Sequence, residues 1–279
     1  MTEVVSGLTL DYLHLLRNEQ INEKYRNCLQ ELINNIIADS YENIEAILLY
    51  GGVVRDSKVF DNWSDIDIIV VFKDITKRSA SNLAEILQRL EAQYSIRIDL
   101  TQISLRELTD GRLTRCYFSS EVINALSMRD NVSIVAFGDI PAVSFTSEQE
   151  KQAAIFYIMT TLGLLRRYFV EVLYRGNAED HIKADLRRII RWLFSIIRAS
   201  LRLFNIYTHP YEDSLPHLER IFPELDISLL AHLTGLRKNI NRVDNASEMI
   251  QVAQRIEIFI EEYVALCLGR YVDEIERNK

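Results

Sequence analysis

Between residues 8 and 39 the chain has no Gly or Pro, and Tyr25, Leu29, Leu32, Ile33, Ile36 and Ile37 recur at steps of three and four. Such steps line one side of a 3.6-residue turn, so the pattern predicts an amphipathic helix there. The pattern then changes. Ile44 to Tyr50 is a short apolar run closed by Gly51 and Gly52, a strand entering a turn. Asp65 to Phe72 reads DIDIIVVF, β-branched and too short for a helix, and predicts a second strand. Leu83, Ile86, Leu87, Leu90 and Tyr94 return to helical spacing. Over Ile96 to Ile103 the residues Ile96, Ile98 and Leu100 alternate with Arg97, Asp99 and Thr101, which predicts a third strand. A fourth is expected at Val132 to Phe137, before Gly138 and Pro141.

From Thr146 onward nearly everything has the helical period. Helices are expected over Glu148 to Tyr174, Glu179 to Phe204, Ile227 to Val243 and Ala246 to Arg277, with Pro210, Pro216 and Pro223 marking a connection. The reading is therefore two domains: residues 1–145, built on a sheet, and residues 146–279, a helical bundle.

Composition narrows the function. The 279 residues include 48% hydrophobic and 26% charged side chains, which excludes a disordered or collagen-like chain. No run of 18 residues is free of charge and the start lacks a basic segment followed by an apolar block, so neither a bilayer span nor a signal peptide is expected. Cys28, Cys116 and Cys267 have no disulfide or zinc spacing, and are expected to be reduced thiols in a cytoplasmic protein. The net charge of −8 divides unevenly, −7 for residues 1–145 and −1 for 146–279, where 18 basic residues meet 19 acidic ones. General nucleic-acid binding calls for a basic excess; an acidic half fits metal ions or a cationic substrate.

The chemistry concentrates between Leu49 and Phe72. Asp65 and Asp67, two apart on a strand, send both carboxylates to the same face, and Asp99 on the following strand can join them if the two strands are neighbours. Three such oxygen donors suit Mg²⁺. Gly51 and Gly52, at the end of the preceding strand, leave backbone N–H groups open to phosphate oxygens.

Gly51-Gly52, twelve intervening residues, Asp65-Ile66-Asp67 and then Ile98-Asp99-Leu100 together resemble the signature of the DNA polymerase β superfamily of nucleotidyltransferases. The resemblance covers residues 44–103 and, by the order of elements, extends to 138. It implies an α+β fold, a polymerase-β-like mixed sheet with flanking helices followed by an all-α helical bundle. It also implies an NTP, taken as ATP, and two Mg²⁺ ions, with Asp65 and Asp67 bridging the metals and Asp99 on the one that activates the acceptor hydroxyl. Gly51 and Gly52 would contact the triphosphate, helped by Arg55, Lys58 and Ser64. The layout is similar to that of the antibiotic nucleotidyltransferases of the aminoglycoside and lincosamide type, whose wording Ser64-Asp65-Ile66-Asp67 matches. That likeness implies a small-molecule hydroxyl acceptor held by the bundle, with Glu171 as general base, and no membrane partner. A homodimer stays open.

Two other resemblances give alternatives. Gly51-Gly52-Val53-Val54-Arg55-Asp56 reproduces the opening of the enzymes that add CCA to tRNA, but their later motif is only echoed at Glu179-Asp180-His181-Ile182-Lys183, with Lys in the place of Arg. The bundle also resembles the helical domains that accompany minimal nucleotidyltransferases in toxin and antitoxin systems, for which the acceptor or partner would be a protein or tRNA. No Arg-x4-6-His motif stands near Arg237 and Arg242. Arg187, Arg191, Arg198 and Arg202 recur on one helix, either as a basic stripe facing phosphate or RNA or, the favoured reading, as its solvated face opposite Ile190, Leu193, Ile197 and Leu201. Trp63 would stack on a base or cover the sheet edge.

Overall fold

The computed structural model describes residues 7–55, 65–74, 80–109, 120–128, 133–141, 143–174, 179–208, 213–239 and 245–277. The chain separates into two compact units, Met1–Phe145 and Thr146–Lys279.

The first unit opens with two helices, α1 (Leu10–Arg17) and α2 (Glu23–Ser40), where the periodicity predicts one. The break is the work of two asparagines. Asn18 Oδ1 accepts from the Gln20 N–H at 3.0 Å, and Asn22 Oδ1 caps α2 by accepting from the Lys24 N–H at 2.9 Å. Short polar side chains that bond nearby N–H groups compete with the helical ladder, and the apolar spacing does not register them. Four strands follow: β1 (Ile44–Tyr50), β2 (Ile66–Phe72), β3 (Ile98–Ser104) and β4 (Ser133–Gly138). Between them lie the short helix α3 (Gly52–Arg55), the crossover helix α4 (Ala80–Tyr94), α5 (Leu105–Thr109) and α6 (Ser120–Leu126). Neither α5 nor α6 is visible in the apolar period; α5 starts at a capping box in which Ser104 and Glu107 exchange hydrogen bonds.

The sheet order is β3-β2-β1-β4, with β1 antiparallel to both neighbours and β2 parallel to β3. Both faces are covered, which is why β1 and β2 read as nearly unbroken apolar runs. On one face Ile47, Leu49, Ile68, Val70 and Phe72 pack with Leu29, Leu32, Ile33 and Ile36 of α2 and Leu83 and Leu90 of α4. On the other, Ala46, Leu48, Ile69, Val71 and Ile103 pack with Leu108 of α5 and Val122, Ala125 and Leu126 of α6.

The second unit contains α7 (Ser147–Tyr174), α8 (Glu179–Leu203), α9 (Ser214–Ile221), α10 (Ser228–Asn239) and α11 (Ala246–Arg277). The proline-marked connection holds a helix of its own, α9. Pro216 falls in its first turn, where the missing N–H would have had no intrahelical partner. The arginine row on α8 departs further from expectation. Arg198 and Arg202 are only 5% and 3% exposed, so this is no solvated face. Arg202 lies 3.6 Å from the buried Glu150 of α7 and over the ring of Tyr207, whose hydroxyl donates to the same carboxylate at 2.6 Å. A counter-charge from another helix accommodates the cation in the interior, which helical spacing alone does not reveal.

Among the described residues one helical stretch, Ser147–Glu171 of α7, is long and apolar enough to cross a membrane by length and hydropathy alone, a property that the absence of a charge-free run of 18 residues does not exclude and that the core helix of a folded protein shares. Its Ala154, Ile158, Leu162, Leu165 and Phe169 are buried within the protein.

Candidate active site

The site is assembled by strand register. Across the antiparallel pair Tyr50 of β1 stands opposite Asp67, and across the parallel pair Asp67 stands opposite Asp99. Asp65 directly precedes β2 and, two residues from Asp67, shares its face. This is the face on which Ile69, Val71 and Ile103 are sealed by α5 and α6. Further back along β2 and β3 the carboxylates remain partly exposed, and the Asp99 side chain is 49% exposed.

Carboxylate oxygens of Asp65, Asp67 and Asp99 all lie within 4.8 Å of one another. At such distances each pair of ionised groups repels by about 1–4 kcal/mol, depending on how much water screens it. Arg97 gives little relief, since its Nη2 is 3.7 Å from Asp99 Oδ2 and half exposed. A small divalent cation answers this arrangement. Three hard anionic oxygens, clustered and open to one side, are the donor set that Mg²⁺ or Mn²⁺ takes while keeping positions for water and phosphate. The residues present therefore fit a metal of that class.

Gly51 contributes in a way the sequence does not disclose. It turns the chain out of β1 with φ +76°, a left-handed conformation, and a Cβ at this position would stand 2.1 Å from Asp67 Oδ2. The missing side chain leaves the space that the Asp67 carboxylate occupies. Gly52 then opens α3, and Arg55 closes it, placed by its backbone alone. Lys58, Trp63 and Ser64 lie outside the described residues. Glu171 belongs to the second unit, where it accepts from Arg167 Nε at 3.2 Å. The groove between α2 and α4, lined by Asn35, Asp39, Asn82 and Arg89, is on the opposite face of the sheet. Its polar groups bond one another, Asn82 to Asp39 and Arg89 to Asn35 and Glu31.

The strand order and the turn at Gly51 belong to the fold of the polymerase-β-like nucleotidyltransferases. Among solved structures the chain is similar to spectinomycin adenyltransferase AAD(9) from Enterococcus faecialis, crystallised with ATP and spectinomycin. That match has 12% identity and a TM-score of 0.51, and covers 84% of this chain and 98% of the other. A nucleotidyltransferase-like protein from Exiguobacterium sibiricum 255-15 matches at 12% identity over 90% of this chain and 80% of its own, but with a TM-score of 0.32. The toxin-antitoxin MntA-HpeT structure matches at 17% identity over 46% of this chain and 83% of its own, with a TM-score of 0.25. Only the first superposes closely enough to bear on the fold. No protein-family model matches the chain, and no curated protein does.

Proposed function

We propose that the chain is a nucleotidyltransferase that moves a nucleoside monophosphate from an NTP, ATP by preference, to a hydroxyl of a small molecule of the aminoglycoside-antibiotic kind, releasing pyrophosphate. The observation that carries this reading is the cluster of Asp65, Asp67 and Asp99 with oxygens within 4.8 Å, beside a turn whose glycine clears room for one of them. The similar adenyltransferase was crystallised with ATP and spectinomycin, and the match runs over nearly its whole length, which supports a small-molecule acceptor here. The charge of −7 on residues 1–145 favours a cationic one.

Asp65 and Asp67 would hold two Mg²⁺ ions and Asp99 one of them. Such ions, when bound, neutralise the triphosphate and acidify the acceptor hydroxyl. The backbone N–H groups of Gly51 and Gly52 would receive the phosphates, with Arg55, Lys58 and Ser64 close in sequence to assist. The acceptor oxygen bonds to the α-phosphorus as the bond to pyrophosphate breaks, and its proton passes to a carboxylate, Asp99 or Glu171. On this reading the bundle of residues 146–279 contributes to the acceptor pocket, and the protein works in the cytoplasm.

The test is to incubate the purified protein and Mg²⁺ with each α-phosphate-labelled NTP and a panel of aminoglycosides, spectinomycin, a lincosamide, total tRNA and cell lysate. Label on a small molecule, lost in Asp65→Asn and Asp67→Asn variants that still fold, is the expected result. Label on RNA or protein would move the acceptor to the macromolecular class, and full turnover in both variants would refute the site.

A further inference from the structure

The second unit carries a row of exposed apolar side chains. On α7, Phe156, Met159, Leu164 and Val170 are 40–53% exposed, although the same helix buries Ile158, Leu162, Leu165 and Phe169. Ile258 of α11 is 70% exposed. The two helices run antiparallel, since Lys151 reaches the ring of Tyr271 while Arg166, fifteen residues on, clasps Glu261 at 2.6 and 2.7 Å. One turn beyond Arg166 comes Val170, and one turn before Glu261 comes Ile258, so both lie toward the same end of the pair. Two ion pairs lie along it, Arg166 with Glu261 and Arg167 with Glu171.

At the middle of this stretch stands Gly163, exposed, with open space where a Cβ would be. A glycine inside a helix costs stability relative to alanine, and no described residue comes within 4 Å of where a Cβ on this one would be. Its surroundings are symmetric. Phe156 lies seven residues before it and Val170 seven after, two helical turns in either direction, so all three share one stripe. The exposed helical glycine Gly269 has Glu262 and Glu276 at the same offsets instead.

We propose that this face is a two-fold interface with a second copy of the chain, in which the α7 helices cross antiparallel at Gly163. A two-fold axis there puts Phe156 of one copy against Val170 of the other, twice, and lets the backbones meet at the glycines. Charge permits it on this unit, which carries −1 net, against −7 for residues 1–145. The stretch from Gln152 to Glu171 is about 30 Å long, and with α11 alongside the strip is about 20 Å wide, or on the order of 600 Å² per partner. That is at the lower edge of specific interfaces, so the dimer is reversible, with a Kd on the order of 10 µM.

Sedimentation of the full-length protein over about 1–200 µM tests this. A monomer–dimer equilibrium is expected, weakened about tenfold or more by Val170→Glu and by Gly163→Leu. The second substitution discriminates, because adding an apolar side chain to a merely sticky surface would tighten association, whereas here it separates the helices. Thermal unfolding controls for folding, and Gly163→Leu should raise the monomer's Tm. A Phe156→Cys/Val170→Cys double variant should oxidise to a covalent dimer. Val170→Cys alone should give no more than wild type, since its two copies would be about 21 Å apart. A wild type that stays monomeric, a Gly163→Leu dimer as tight as wild type, or a monomer that floats with phosphatidylcholine vesicles through α7 would each overturn the proposal.

Discussion

Replacing Gly51 by alanine separates the geometry of the turn from the mere presence of the carboxylates. The added Cβ would stand 2.1 Å from Asp67 Oδ2 and 3.0 Å from its carboxyl carbon, on a residue held at φ +76°. The left-handed conformation costs an alanine about 1–2 kcal/mol. The contact can be relieved in two ways. If the backbone yields, β1 shifts against β2 and stability falls further. If Asp67 turns aside, the fold is spared but one of the three carboxylates proposed to hold a metal leaves its place. The strain alone predicts a Tm lower by about 2–8 °C, taking about 2–4 °C per kcal/mol for a chain of this size. Mn²⁺ affinity, measured by calorimetry or electron paramagnetic resonance, should fall about tenfold or more, which corresponds to ~1.4 kcal/mol. Gly269→Ala on α11, where a Cβ meets nothing within 4 Å, is the control and should stabilise by up to about 1 kcal/mol without touching the metal. A Gly51→Ala protein with both wild-type Tm and wild-type Mn²⁺ affinity would refute the claim that this turn positions Asp67.

Three further outcomes are expected. Arg202→Met removes the counter-charge of Glu150, which is 2% exposed, and should cost about 3–5 kcal/mol in urea unfolding; Glu150→Gln, which leaves the Arg202 cation buried, should cost a similar amount. Burial pushes the thiols of Cys28 and Cys267 up to about 12, so N-ethylmaleimide at pH 8 should label neither until the protein is unfolded, as peptide mass spectrometry would show. The hydrogen bond from Arg89 holds the Glu31 carboxyl below its ordinary range, so its contribution is present at neutral pH and is lost as pH falls through the depressed value. Because the group is partly exposed, Glu31→Gln should lower stability by less than about 1 kcal/mol at pH 7 and by progressively less as the pH falls through the depressed value, and a loss independent of pH would contradict the assignment.

Local patterning carried far in this chain. The runs Ile44–Tyr50 and Ile66–Phe72 could be read as strands because both faces of the sheet are covered, which selects apolar residues at nearly every position rather than at alternate ones. The shared face of Asp65 and Asp67 follows from the two-residue period of a strand, a purely local property. The long helices α7, α8 and α11 declare themselves through many turns of one period. Where a competing local bond intervened, at Asn18 and Asn22, the period alone ran two helices into one.

Other features belong to the tertiary structure because they depend on which distant segments become neighbours. That Asp99 meets Asp67 is decided by the parallel register of β2 and β3, and one residue of slip would send its carboxylate to the opposite face. That Gly51 must lack a side chain because Asp67 fills the space is a contact across two strands, invisible in either alone. The burial of Arg198 and Arg202 follows from helices packed around α8 and, for Arg202, from a carboxylate on α7 that makes it tolerable. Sequence by itself determined the four strands, the long helices and which side chains could do chemistry, since local sterics and periodicity act over a few residues. Tertiary structure decided which of those side chains converge and which charges are buried, since convergence is set by non-local pairing that no short window of sequence contains.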